Sequence, residues 1–292
     1  WLKFPQPQPL RTMSWQTVSR RKGRGPAIAK TNCTTGSTEV AGLGSVASAE
    51  ASSEVVAAAG RRLEARVRER ASLLQSSSFM AELETLVRAA RSRARSGVAG
   101  TTGGQLLCLG IGSVEMSNAS ACQLAAAWLL AEQLGLSSRA WADPQMRAAD
   151  VAAANALGFE ALEPEVALQA LTAAAAAEAA TSPVLLFMPH CDRALYERVL
   201  LEATGGRVAE HAREAALQLF ANVVLIGNSF SLYADRDELR VVPEGSPGAP
   251  GATNLICEMR PFIQEELLPE YAPCSEAFND LAVLSFSSDK TR

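Results

Sequence analysis

Two histidines, His190 and His211, are all the imidazoles in 292 residues, and no C-x-x-C pair occurs among six cysteines. A structural zinc site assembles two pairs of Cys or His ligands at short spacing, so no metal centre is expected. No apolar run approaches the roughly 20 residues that span a bilayer, and we expect no membrane insertion. No apolar signal segment opens the sequence, and Cys33, Cys108, Cys122, Cys191, Cys257 and Cys274 are widely spread. The expectation is an intracellular protein with reduced thiols, Cys108 in "QLLCLGIG" being an ordinary buried one. Acid is missing altogether from residues 1 to 30, where Lys3, Arg11, Arg20, Arg21, Lys22, Arg24 and Lys30 give +7 and leave −11 on the rest of a chain of net charge −4.

A basic tail on an acidic body can make weak contacts with nucleic acid or an acidic partner, or enter the nucleus through "SRRKGR". A solvated arm explains the same residues without any partner. Residues 1–59 mix Pro, Ser, Thr, Gly and Ala with basic residues and show no sustained apolar period, the composition of a disordered segment. Met13 is a candidate start, with "WLKFPQPQPLRT" then upstream of the native chain.

What is present is core material. Apolar residues make up 48% of the chain, ample for a domain over 60–292. From Gly60, Leu63, Val67 and Leu74 and then Leu83, Leu86 and Ala90 recur at helical spacing, which predicts two amphipathic helices broken near "SSS" in a lead-in over 60–96. The core, 104–235, alternates strands and helices. "QLLCLGIGS" reads as a buried strand entering a glycine turn, and "SNASACQLAAAWLLAEQLGL" as a helix. "RAWADP" follows as a short strand, then "PQMRAADVAAANALG" as a helix with Pro144 in its first turn. A third helix, "EPEVALQALTAAAAAEAA", leads into the strand "PVLLFMPH" and the helix "DRALYERVLLEAT". "ANVVLIGNS" is the next strand and "NDLAVLSFS" the last. The stretch 243–254 reads as a flexible Pro/Gly loop, and the C-terminal segment 255–292 opens with "LICEMRPFIQEELLPEY", whose pattern is mixed. The alternation predicts an open, mostly parallel sheet with helices on both faces, a Rossmann-like α/β fold.

In such a sheet ligands bind beyond the carboxyl ends of the strands. Four endings would gather there: Gly110-Ile111-Gly112-Ser113, Asp143-Pro144, Pro189-His190-Cys191-Asp192 and Gly227-Asn228-Ser229. The glycine turn is of the kind that holds a phosphate or carboxylate, yet Glu115 occupies the third glycine position of a dinucleotide fingerprint, and Asp143 lies 31 residues after Gly112 instead of about 20. A plain tight turn is the competing reading. "IGNSFS" resembles a nucleophile elbow, but no histidine follows His211, so Ser229 lacks a partner in the required order. Asn228 and Ser229 then turn the chain and cap the next helix. His190 and Cys191 could be a nucleophile–base pair or haem ligands by type. The bland reading has Pro189 ending the strand, His190 bonding locally and Asp192 capping the following helix.

Taken in order, "LGIGS", "SACQLAAAWLL", "DP", "LFMPHCDRALYERVLLEA", "VVLIGNSFSLY" and "EAFNDLAVLSF" resemble the SRR-like family, named from Sensitivity to Red Light Reduced, over roughly residues 60–286. The resemblance implies a regulatory protein of nucleus and cytoplasm. It would work with protein partners in phytochrome signalling, the circadian clock or haem biosynthesis, or show microtubule-related phenotypes, with no settled reaction and no assigned cofactor. Its pattern falls on Gly110, Gly112, Ser113, Gln123, Asp143, Pro144, Pro189, His190, Cys191, Leu195, Tyr196, Gly227, Asn228, Ser229, Phe230, Tyr233, Phe278, Asn279 and Asp280. Of these, Gly110, Gly112, Ser113, Gln123, Asp143, His190, Cys191, Asn228, Ser229, Asn279 and Asp280 form the expected rim for a small-molecule ligand. Leu281-Ala282-Val283-Leu284 lacks the histidine that relatives often carry after F-N-D. An enzyme using a nucleotide or methyl donor at the glycine turn, with His190 as acid or base, is the alternative.

Overall fold

The computed structural model describes residues 45–94, 104–176, 183–202, 209–238 and 255–287. The basic cluster of residues 1–30 and the loop 243–254 lie outside them. Helices α1 (Ser45–Gln75) and α2 (Ser78–Arg93) come first. Then follow β1 (Gln105–Leu109), α3 (Asn118–Gln133), β2 (Ser138–Ala142), α4 (Ala148–Ala156), β3 (Glu160–Ala161) and α5 (Pro164–Ala176). The second half comprises β4 (Val184–Met188), α6 (Arg193–Glu202), α7 (Ala209–Phe220), β5 (Val223–Asn228), α8 (Phe230–Glu238), α9 (Leu255–Met259), β6 (Ile263–Leu267) and β7 (Leu281–Phe286). Two 3-10 turns, Arg260–Phe262 and Ala272–Ala277, precede β6 and β7.

The seven strands form one sheet in the order β3-β2-β1-β4-β5-β7-β6. The first five are parallel. Their near-continuous apolar runs fit strands covered on both faces. On one face Leu106, Cys108, Leu185, Phe187, Val224, Ile226 and Val283 pack with α1 to α4 in the main core. The alternate residues meet α5, which lies against β1, β2 and β4, and α7, which lies against β5 and β7. The expected α/β class is the one observed.

Two local expectations need correction, and two points that the sequence pattern left open are answered by the fold. The tail placed at 1–59 is too long at its end, because α1 already begins at Ser45. Alanine and serine there offer helix propensity with little volume, so no apolar stripe betrays the helix. Pro144 is not in the first turn of α4, which starts at Ala148. Asp143 folds the intervening residues into a turn, accepting from the Gln145 and Met146 amides, and Asp150 closes a capping box on the Arg147 amide at 2.9 Å. The last strand runs antiparallel to β5, with Asn228 opposite Leu281. Finally, "IQEEL" is a strand, β6, antiparallel to β7.

Candidate functional site

From β1 the chain moves one way, to β2 and β3, and then returns across the sheet to β4, so the strand order reverses between β1 and β4. That reversal opens a crevice beyond the carboxyl ends of the two strands. The turn after β1 and the turn after β4 are therefore neighbours.

Gly110 leaves β1 with φ +72, and a Cβ there would fall 2.3 Å from the Cys191 Sγ. Both the left-handed backbone and the close approach demand glycine. Cys191 thus fills the mouth of the crevice, its Sγ directed at the Leu109 carbonyl at 3.5 Å. Burial, with the Asp143 and Asp192 carboxylates nearby, pushes its thiol well above the ordinary range. A thiol kept protonated is a poor nucleophile.

Two carboxylates organise the glycine turn. Asp143, immediately after β2, accepts from the Gly112 amide at 2.7 Å with one oxygen and from the Gln145 amide at 2.7 Å with the other. Burial raises its pKa, the two amide bonds oppose that shift, and Asp150 adds to it. Asp150, fully buried, accepts from the Ser113 hydroxyl at 2.7 Å and from the Glu115 and Arg147 amides. The Gly112 amide, a natural donor to a bound anion, is therefore already committed to a side chain of the same chain.

The turn after β4 is held by β5. His190 adopts φ +52, unusual for a residue with a side chain. Its amide donates to Asn228 Oδ1 at 2.9 Å, while Asn228 Nδ2 donates to the Cys191 carbonyl at 2.9 Å and contacts the Tyr233 hydroxyl at 2.8 Å. One amide side chain thereby holds both sides of the turn. Beneath it the Tyr196 hydroxyl donates to the Met188 carbonyl and accepts from the Asn228 amide at 2.7 Å. Gly227 makes room for that phenol, because a Cβ would sit 2.3 Å from its oxygen. Burial keeps the phenol neutral, its pKa far above the usual range. The His190 ring is exposed and reaches the Ala277 carbonyl through Nε2 at 3.2 Å. The Asp192 carboxylate caps α6 by accepting from the Leu195 amide at 2.7 Å.

Because β7 is antiparallel, its beginning lies at the rim where β5 ends. Exposed Asn279 and Asp280 come to the rim in this way, and the Ser229 amide donates to the Asp280 carbonyl at 3.0 Å. Phe278 is buried against Phe79 and Tyr271. Gln123 is buried, donating to the Ala277 carbonyl at 2.8 Å. Ser229 points away from the crevice, its hydroxyl donating to Glu265 and accepting from the Leu232 amide at 3.1 Å.

Of the expected rim residues, the structure gathers Gly110, Gly112, Asp143, His190, Cys191, Asn228, Asn279 and Asp280 around the crevice. It turns Ser113, Gln123 and Ser229 inward. Sequence reading missed Asp150 and Glu265 as organising carboxylates. The D-x-x-x-x-x-x-D spacing from Asp143 carries no marker, and Glu265 sits in the segment whose pattern was mixed. His190 and Cys191 engage different elements, Ala277 and Leu109, and do not converge as a ligand pair. No group of three His, Cys, Asp or Glu side chains suited to a metal occurs among the described residues. No helix among them is long and apolar enough to cross a membrane.

Comparisons with curated proteins and with solved structures each return no match. The SRR1 domain matches residues 82–285, beginning inside α2, later than the start near residue 60 expected from the resemblance, and containing every residue of the rim. Matched over well over half its length, the chain belongs to the SRR1 domain family.

Proposed function

We propose that this SRR1-domain protein is a non-enzymatic regulator, acting in circadian rhythm, red-light signalling or the control of haem biosynthesis, in nucleus and cytoplasm. Its exposed rim around His190, Asn279 and Asp280 meets a protein partner or a small regulatory molecule. One observation carries the reading: the reactive residue types that follow the strands are engaged within the chain. Cys191 is a buried thiol over Gly110, Ser229 is a helix cap, and Asp143 holds the Gly112 amide. What faces outward is polar surface on a fixed turn.

The test restores either wild type or His190→Ala to cells lacking the protein and follows a rhythm or light-response readout. The reading expects His190→Ala to accumulate as a folded protein and fail to restore the response. Full restoration by the variant removes the rim from the function.

A second reading is supported by the position of Asp143, directly after β2 and beside the glycine turn, where nucleotide-binding α/β domains place a ribose-binding acid. There the chain is an enzyme with a nucleotide or methyl donor at Gly110–Ser113 and His190 as general acid or base. That ligand must first displace Asp143 from the Gly112 amide.

A further inference from the structure

We infer that Cys122 and Cys274 form an oxidisable dithiol that locks the segment carrying Asn279 and Asp280 onto α3. Cys122 lies on the second turn of α3 and Cys274 in the 3-10 turn Ala272–Ala277, 152 residues further along the chain. Burial, with Cys274 beside it, pushes the Cys122 thiol up to about 12. Contacts on either side fix the register of the two elements. Asn118, one helical turn before Cys122, donates to the Cys274 Sγ at 3.4 Å, and Gln123 donates to the Ala277 carbonyl at 2.8 Å. The other described thiols lie elsewhere, Cys108 on β1, Cys191 in the turn after β4 and Cys257 on α9.

Of the two cysteines, only Cys274 stands outside regular helix. The helical dihedrals of the 3-10 turn break at Cys274 itself, with φ −157 and ψ 67. Cys122, by contrast, is fixed on a 16-residue helix in the core.

The reaction is thiol–disulfide exchange with a small disulfide, oxidised glutathione serving as the oxidant. The Cys274 sulfur, as thiolate, attacks one glutathione sulfur, forming a mixed disulfide and releasing the other glutathione as a thiol that takes up the Cys274 proton. Cys122 then attacks the Cys274 sulfur, giving up its own proton to the second departing glutathione. Two protein thiols and one glutathione disulfide become one protein disulfide and two glutathione thiols. Held on the neighbouring element, the second thiol attacks intramolecularly and outcompetes thiols in solution.

The consequence reaches the rim through Ala277. Its carbonyl receives both the Gln123 amide and the His190 ring, and Phe278, Asn279 and Asp280 follow it directly. Oxidation would tie that stretch to α3 and stiffen it. The dithiol itself does not depend on what the rim binds.

The experiment equilibrates the full native chain in glutathione buffers of increasing oxidised fraction, traps free thiols by alkylation, and maps disulfides by mass spectrometry. The proposal expects a peptide pair joining Cys122 to Cys274, a chain lighter by the two thiol hydrogens, and slower amide exchange across 274–281 that dithiothreitol reverses. Cys257→Ser keeps the link, whereas Cys122→Ala loses it. The proposal is overturned if both residues remain thiols in folded wild type under buffers that oxidise the urea-denatured chain. Disulfides joining either residue to other cysteines overturn it equally.

Discussion

The rim is built on a few side chains whose removal has unequal consequences. Gly110→Ala places a Cβ against the Cys191 Sγ and strains a left-handed backbone, which together should cost about 2–4 kcal/mol. Part of that cost is steric and belongs to Cys191. Chemical denaturation of Gly110→Ala, Cys191→Ala and the double variant should therefore show non-additive losses, the double variant being more stable than the sum predicts. Asn228→Ala strands the His190 amide and the Cys191 carbonyl and should cost about 2–3 kcal/mol by the same measurement. Asp143 provides a pH signature. Its pKa is raised in the folded chain, so between the ordinary aspartate range and that raised value the folded state holds more protons than the unfolded one. Stability then falls as pH rises through that window. Asp143→Asn should flatten this slope in denaturation curves collected across acidic pH; an unchanged slope would assign it to another group.

Elements are positioned by caps that sequence reveals unevenly. Ser77, in the "SSS" break, accepts from the Met80 amide at 3.3 Å as the N-cap of α2, and Asp192 caps α6. The second was legible because an aspartate stood just before an apolar-periodic run, whereas "SSS" was read only as a break between helices. Glu265 was not legible, since it reaches the start of α8 from β6, accepting from Ser229 and from the Ser231 amide at 3.1 Å. A carboxylate at a helix N-terminus also meets the positive end of its dipole. Glu265→Ala should lower stability by about 1–2 kcal/mol and speed amide exchange selectively in α8, leaving α2 unaffected. The helix over 45–59 was hidden for a related reason: small side chains leave propensity without amphipathic contrast.

At the scale of the whole molecule, the parallel half of the sheet was legible because buried parallel strands read as unbroken apolar runs such as "VLLFM" and "VVLIGN". Strand order was not, and neither was the direction of β7, since an apolar run like "LAVLSF" carries no sign of its orientation. That direction matters most for function, because it brings Asn279 and Asp280 to the rim from the start of a strand instead of its end. The glycine turn shows the opposite limit. Sequence marked it as a possible anion cradle, and only the fold places Asp143 on the Gly112 amide.

The account rests on that occupied amide and on a crevice closed by Cys191. Its most direct test is the stability of the purified chain titrated with nucleotides, nicotinamide dinucleotides, a methyl donor and haem. The account predicts an unchanged unfolding midpoint with each of them. A saturable rise with a nucleotide, a nicotinamide dinucleotide or the methyl donor, about 2.7 kcal/mol at 100 times the ligand's Kd, would contradict it and move the chain to the enzyme reading.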